Sequence, residues 1–469
     1  MDRKTKYTGI ELMGTAPVGT AILRLALPMV AAMLAQSIYN MTDVFFIGQT
    51  KDPNMVAAVT LAFPLFMMSQ ALGNLFATGS SSYISRMLGL KDHTEAQHTS
   101  AVAFYTSIAV GILMAAVIWS FKTPLLRLVG ASDATFGFAD DYFSVVIAFM
   151  PIAAVGTVIS GQMRSEGATK HAMITQLIGI VLNIILDPIL ILWLNMGTAG
   201  AAWATVIGQV ASFIYGIFYF LSKKTILSIK PKDYKPNRRM LSQLLSIGVP
   251  SALSSVIMSL SNIVGNRISA SYGDHIVAGF GVQMRVASLI FMLVFAIGQG
   301  YQPFAGFNYG AKQFSRLRKG FVRTLLYTTG LCVIGSIVLR LFGESLIRFF
   351  IDDAPTIAAG AKILRVFVWG LPFIGAQVTL MVTFQALGKA LSATIVTIGR
   401  QLLFYVPLLF ILNHLFGFDG FIWAQPTADI LTTGIAGILC ISLIKLIRGP
   451  DGPAEAVTHP ESGELPGNS

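Results

Sequence analysis

Charge is scarce in this chain: only 12% of its 469 residues are Asp, Glu, Lys or Arg, where a soluble globular protein carries ~25%. That scarcity excludes a soluble fold. The want of a long polar stretch also excludes a globular head on a single membrane anchor. Cysteine is nearly absent, and the two that occur, Cys332 and Cys440, lie in apolar runs, which excludes a disulfide framework or a zinc site. No G-x-x-x-x-G-K-[ST] occurs and no loop is long enough to hold a nucleotide-binding domain, so ATP-driven transport by this chain alone is excluded. The sequence also has no H-E-x-x-H, no nucleophile elbow and no Ser-His-acid pattern, which argues against an enzyme and against a cofactor. The first apolar run leads into a full-length span without an A-x-A site, so it reads as a span and not as a removed signal peptide.

What abounds is apolar. The chain is 54% hydrophobic with a mean hydropathy of +0.69, and it holds 44 Gly and 19 Pro; both are tolerated in transmembrane helices, where neighbouring helices satisfy the freed backbone groups. Apolar stretches fall at about 20–47, 55–78, 101–121, 138–163, 172–194 and 199–221, and after a polar linker at about 244–270, 276–303, 320–342, 358–385, 391–415 and 420–447. Each is near the ~20 residues that a bilayer requires. The expected fold is an all-α polytopic membrane protein, twelve transmembrane helices in two pseudo-symmetric six-helix lobes. The expected division is a cytoplasmic N-terminus (1–19), an N-terminal lobe (20–221), a basic cytoplasmic linker (222–243), a C-terminal lobe (244–447) and a disordered tail (448–469) poor in apolar residues.

The formal charge of +11 is distributed as topology requires and not as a nucleic-acid footprint. Of 33 Lys and Arg, seven (Lys51, Lys122, Arg127, Arg340, Arg348, Lys362, Arg365) fall on one side and three (Arg267, Arg285, Arg400) inside apolar runs, which leaves 23 on the side of the linker and both termini. That side is expected to be the cytoplasm, in a plasma (inner) membrane. The linker reads as a solvated, topology-setting loop, or as a contact for anionic lipid.

A repeat is written across the chain. Pro28 matches Pro250 and Asn40 matches Asn262 at an interval of 222; Gly79/Gly300, Gly89/Gly310, Lys91/Lys312, Pro151/Pro372 and Gly167/Gly388 keep 221; Gly197, Gly200, Trp203 and Ala204 match Gly417, Gly420, Trp423 and Ala424 at 220. With six spans per half, both halves enter the membrane in the same direction, and parallel lobes around a cleft are transporter architecture.

Polar residues at membrane depth are the candidates for function, since an intramembrane carboxylate costs at least ~2.5 kcal/mol. Asp43 closes the first span, where an interfacial helix cap is the alternative. Asp187 sits within the fifth, with Asn183 one turn earlier on the same face. Pro188 has no N–H and frees the carbonyl of Ile184; carboxylate, amide and freed carbonyl suit a hard cation or a proton, against the alternative of a kink with a hydrated aspartate. Depth places Asp43, Asp187 and Thr205 in the outer half and Asn183 nearer the midplane, so these four can converge. The second lobe lacks the acids: Asp43 aligns with Gly265, and LNIILDP with LLFYVP. It has instead Arg285, Arg400 and Asp429 near the midplane, expected either as a network of spans eight, eleven and twelve or as separately hydrated arginines. Gln36 and Asn40 are candidates for the cleft wall, although lone amides often serve only as interhelical hydrogen-bond partners.

With Y-N-M-T-D-V-F-F-I-G ending span one and L-N-I-I-L-D-P-I-L-I in span five, residues 10 to 447 resemble the multidrug and toxic compound extrusion (MATE) family. The resemblance implies a cation-coupled antiporter, driven by H+ or Na+, that exports lipophilic and often cationic drugs and dyes as its two lobes alternate. It places the cation site on Asp43, Asn183, Asp187 and Thr205, with hinges at Pro28 and Pro188 and a substrate cavity that takes in Gln36, Asn40, Arg285, Arg400 and Asp429. Spans seven and ten offer Asn262, Asn266 and Gln377 where some members have carboxylates for sodium, which argues against a C-lobe sodium site. A monomer in contact with membrane lipids is expected. The competing readings are a lipid-linked precursor flippase, with Arg285 and Arg400 on a pyrophosphate, and a non-transporting receptor or channel.

Overall fold

A computed structural model describes residues 9–222, 224–350 and 352–447, without the side chains of residues 40, 43, 44, 62–67, 350 and 442–447. The tail expected at 448–469 lies outside the described residues. A short helix α1 (Gly9–Gly14) precedes α2 (Val18–Gly48), α3 (Pro53–Gly89), α4 (His93–Ser120), the short α5 (Lys122–Leu128), α6 (Asp133–Ala148), α7 (Met150–Ser165), α8 (Thr169–Asp187) and α9 (Gly197–Leu221). After the linker come α10 (Arg238–Ala270), α11 (Asp274–Gly310), α12 (Phe314–Phe350), α13 (Ala354–Ala386), α14 (Ala390–Ile398) and α15 (Val406–Ile447). Among the described residues nine helical runs are long and apolar enough to cross a membrane, and α6 with α7, bent by 52° next to Pro151, makes a tenth. The run from Ala390 contains two arms that meet at Gly417, whose φ of 59° and ψ of −135° no helix tolerates. Counting both arms, and α3 with its 37 residues, gives twelve spans.

The repeat reaches the backbone. Left-handed residues occur in matched pairs at Lys51 and Gly273, Lys91 and Lys312, Gly167 and Gly388, and Gly197 and Gly417. A lysine in that region is strained by roughly 1–2 kcal/mol, so its presence at both members of the second pair marks a turn that the fold over-determines. Wide π-helical turns follow α8 (Pro188–Trp193) and α14 (Gly399–Tyr405). Their starts lie 211 residues apart, against 220–222 for the repeat, so the two lobes place these turns at different points of corresponding spans; π turns inside spans recur at functional sites.

The lobes meet along α2 and α3 against α10 and α11. Close approach is concentrated at the linker end, where matched glycines let backbones touch: a Cβ on Gly300 would stand 2.5 Å from Ala26 Cα, and one on Gly79 would collide with Leu244 O. Gly89 and Gly310 form a second reciprocal pair, facing Phe307 O and Arg86 O. The largest apolar cluster passes through this seam, with Leu25, Ile84 and Leu88 from one lobe and Phe304 and Phe307 from the other. Toward the opposite end α2 leaves Ile38, Met41 and Phe45 exposed, and α10 leaves Val256, Leu260 and Ile263 exposed.

Two segments differ from the sequence expectation. The linker is fastened to the N-terminal lobe: Gln97 donates to Ile226 O, Tyr105 donates to Ile229 O at 2.9 Å, and Leu227 is buried. Its last residues already belong to α10, which Asn237 starts by accepting from Met240 N–H at 2.7 Å. The stretch ahead of span one contains α1, which staples the lobes. Asn308 and Arg316 donate to Met13 O at 3.1 and 3.0 Å, while Gly9 packs on Glu166 and Gly167 of the other lobe. At the end away from the linker, Lys122, Arg127, Arg348, Lys362 and Arg365 each pair with an acid, so the excess of positive charge stays at the linker end.

Candidate functional site

The N-terminal lobe closes around one polar centre. Helix α8 follows the apolar spacing of its sequence until Pro188, which has no N–H to continue the ladder. The chain answers with the wide turn, in which Leu194 N–H donates to Ile189 O at 2.9 Å. Asp187, the last residue before that turn, is fully buried, and Asn183 and Thr205 are buried beside it. The Asn183 amide is satisfied when its nitrogen donates to Asp187 Oδ2 at 3.1 Å and its oxygen accepts from Thr205 N–H at 3.1 Å. Gly200 allows α9 to lie against the carbonyl of Leu190 in the turn, which brings Thr205 to this depth. From α2, the Tyr39 hydroxyl reaches Thr205 Oγ1 at 3.3 Å.

Three of the four expected cation-site residues thus share one cluster on α8 and α9. Asp43 lies one helical turn beyond Tyr39 on α2; its side chain, like that of Asn40, lies outside the described residues. Tyr39 was not singled out from the sequence, although it opens the Y-N-M-T-D segment. Pro28 stands within an unbroken α2 and Gln36 is half-buried on it, while Ser37 next to Gln36 donates to Met292 Sδ of α11 across the cleft at 3.4 Å.

The C-terminal lobe builds its own centre at the turn Gly399–Tyr405. Arg400 Nε donates to Asp429 Oδ1 at 2.7 Å; Asp429 is 0% exposed and Arg400 17%. Gln425 donates to both carboxylate oxygens at 3.2 and 3.3 Å, and Gln377 of α13 holds the Asp429 carbonyl at 2.6 Å. An ion pair this deep holds only when the remaining lone pairs are satisfied, and these amides do so. Arg285 does not join the pair: its side chain is exposed on α11, and span eight contributes Phe291 instead, 5.9 Å from the guanidinium carbon. The network of Arg285, Arg400 and Asp429 expected of spans eight, eleven and twelve is therefore a two-residue pair, because the turn at Gly399–Tyr405 aims Arg400 into the lobe while Arg285 faces outward. Gln425 was legible as the repeat mate of Thr205 at an interval of 220.

Outside the spans, Glu166 binds the linker. It accepts from the Tyr219 hydroxyl, from Thr225 Oγ1 at 2.9 Å and from Ile226 N–H at 3.2 Å. Burial pushes its carboxyl up to about 6 against the pull of those three donors.

The sequence of this architecture has known counterparts. The MatE family profile matches residues 28–189 and again 250–411, so both copies begin at the prolines that open the repeat. The multidrug export protein MepA of Staphylococcus aureus is 31% identical over 431 residues, covering 92% of this chain and 95% of that one; MepA of Staphylococcus haemolyticus is 29% identical, with 90% and 93% covered. Among solved structures, the outward-facing conformation of a multidrug resistance MATE family transporter of the MOP superfamily superposes with a TM-score of 0.88 at 26% identity, covering 95% of this chain and 99% of the other.

Proposed function

Since the chain belongs to the MatE family of multidrug and toxic compound extrusion transporters, we propose that it exports lipophilic, often cationic, drugs and dyes in exchange for H+ or Na+. The two lobes alternate between a state closed at the linker end, as here, and one closed at the opposite end. The excess of Lys and Arg at the linker end supports a cytoplasmic linker and termini, and on that orientation the present arrangement is outward-open.

The observation that carries this reading is the buried Asp187–Asn183–Thr205 centre, tied to α2 through Tyr39. A cation from the outer side protonates or occupies the carboxylate of Asp187, together with that of Asp43. Its charge replaces part of the cluster's demand on neighbouring donors, so the hydrogen bonds that fasten α2 to α9 change with occupancy. Helix α2 also lines the seam at Ala26, and bending it at Pro28 couples the centre to the cleft. The cycle needs only that cation and drug differ in affinity for the two states. Cation binding then favours drug release outward, and cation loss to the cytoplasm resets the site.

The test is ethidium efflux from cells expressing the chain, driven separately by proton and sodium gradients, with Asp187→Asn in parallel. Efflux under one gradient that the variant lacks supports antiport and names the ion. Equal efflux by the variant under that gradient removes Asp187 from the coupling step.

A further inference from the structure

The turn between α11 and α12 carries charge of one sign only. No Asp or Glu occurs from residue 275 to 343, while five bases lie between Lys312 and Arg323. The repeat supplies a contrast. In the N-terminal lobe the mate of this turn has the same left-handed lysine, and Asp92 then caps α4 by accepting from Glu95 N–H at 3.0 Å. An interval of 221 puts Gln313 in the place of Asp92 and Arg316 in that of Glu95. Gln313 starts α12 through its carbonyl, which accepts from Leu317 N–H at 3.0 Å, but its side chain caps nothing: Oε1 is buried and accepts no hydrogen bond among the described residues. Helix α2 likewise starts after Pro17 without a side-chain cap. A cavity of about 360 Å³ lies between these two helix starts, one from each lobe, lined by Val18, Gln313, Ser315, Arg316 and Lys319. Arg316 is fixed by Met13 O at 3.0 Å and by the Phe304 ring at 5.2 Å. Lys319 and Arg323 are exposed and pair with no acid among the described residues, and Arg323 packs so closely on α2 that a Cβ on Gly19 would collide with its Nη1.

We infer that this cavity binds the phosphate headgroup of an anionic phospholipid whose polar end carries a hydroxyl, of the phosphatidylglycerol kind. Arg316, Lys319 and Arg323 converge with two uncapped helix starts on the place of an anion. The buried Gln313 oxygen requires a donor, which a phosphodiester lacks and a headgroup hydroxyl supplies. Past the bases both helices turn apolar. On α2 the face that opens with Gly19 continues one and two turns on as Leu23 and Leu27; on α12 the face of Lys319 and Arg323 continues as Val322 and Leu326; all four are exposed. A free phosphate has no use for that wall, whereas the acyl chains of a lipid in the leaflet at the linker end lie along it. Since α2 and α12 belong to different lobes, the headgroup bridges the closed seam, and its occupancy favours the state closed at this end.

Native mass spectrometry of the full chain, titrated with phosphatidylglycerol, phosphatidylethanol and phosphatidylcholine, tests it. The first two carry the same charge, and only the first has a headgroup hydroxyl. Phosphatidylglycerol should bind severalfold tighter than phosphatidylethanol, and Gln313→Leu should erase that preference. Lys319→Gln/Arg323→Gln should weaken the tightest phosphatidylglycerol site about thirtyfold, since each base near a headgroup is worth about fivefold. Lys232→Gln/Lys235→Gln on the linker removes the same charge at exposed positions and should change that site by less than about twofold. Equal weakening by the two pairs, or none by the first, overturns the inference, as does equal affinity for phosphatidylcholine. Glycerol 3-phosphate and inorganic phosphate distinguish the source: neither should displace the lipid, and displacement by either would assign the cavity to a soluble phosphate and overturn the lipid reading. In nanodiscs, phosphatidylglycerol in place of phosphatidylcholine should slow amide hydrogen exchange in the first turns of both α2 and α12; slowing confined to one of them would remove the bridge between the lobes.

Discussion

Replacing Gly300 by leucine should drive the lobes apart at the linker end. The first added carbon alone would stand 2.5 Å from Ala26 Cα and 2.6 Å from Ala26 N, well inside the 3.4 Å at which ordinary contact begins. Every atom it meets is backbone of α2, so no rotamer change relieves the clash and the helices themselves must part. Overpacking of this kind costs roughly 1–3 kcal/mol. The cost falls only on the state in which the seam is closed, so the equilibrium between the two states should move by about 5- to 150-fold toward the state opened at the linker end. Nitroxide labels at Thr94 and Arg318, both exposed at that end of opposite lobes, in a background without Cys332 and Cys440, report the distance by pulsed electron resonance. The distribution should gain a longer component in Gly300→Leu. An unchanged distribution, in a variant that still binds ethidium, would refute the role given to the glycine seam.

Other expectations follow from the same contacts. Tyr39→Phe removes the hydroxyl that joins α2 to Thr205 without altering packing, and should lower gradient-driven efflux severalfold while ethidium binding in the absence of a gradient stays within about twofold. Loss of the staple in Asn308→Ala/Arg316→Ala should raise proteolysis within α1, measured as cleavage between residues 9 and 14, because Met13 O loses both of its donors. Glu166 gives a pH dependence with a definite sign: its carboxyl stands above its ordinary 4.5, at about 6, so its contribution is full below pH 4.5 and is lost as pH rises through 6. The total is of order 2 kcal/mol, and Glu166→Gln should flatten the fall in melting temperature between pH 5 and pH 7 in purified protein.

The span pattern was legible because a bilayer asks every segment the same question, about twenty apolar residues with the basic ones left on one side. The repeat was legible because glycine and proline answer to backbone geometry and tolerate no substitute: Gly79 and Gly300 face backbone across the seam, and Gly167 and Gly388 are both left-handed. What stayed hidden has no periodic signal. Helix α1 is six residues long, too short to have an apolar stripe, and its meaning lies in which carbonyl Asn308 and Arg316 reach. The linker reads as a charged loop because Lys and Arg dominate its composition; the few residues that fasten it, Ile226, Leu227 and Ile229, do so largely through main-chain groups that carry no sequence mark. Arg285 misled for the opposite reason. Depth in a span is countable from sequence, whereas the face of the helix on which a single arginine falls depends on the packing of its neighbours.

The two polar centres indicate how a duplicated fold divides its labour. Both lobes put a π turn into the fifth of their six spans, at positions that the repeat does not match: Pro188–Trp193 beside α9, and Gly399–Tyr405 beside α15. The buried carboxylates are not repeat mates either, since Asp429 matches Gln209 at an interval of 220, and the two meet different partners. In the first lobe an amide, Asn183, meets Asp187; in the second a guanidinium, Arg400, meets Asp429. An amide leaves the carboxylate's negative charge in place for a cation that comes and goes, while a covalently tethered cation cancels it permanently. On the antiport reading, one lobe serves an exchangeable ion and the other holds a fixed charge. A consequence can be measured: Asp429→Asn should leave the proton or sodium dependence of ethidium efflux unchanged in shape, altering only its amplitude, whereas Asp187→Asn should abolish the dependence. Equal loss of ion dependence in both variants would mean that the lobes share the coupling ion.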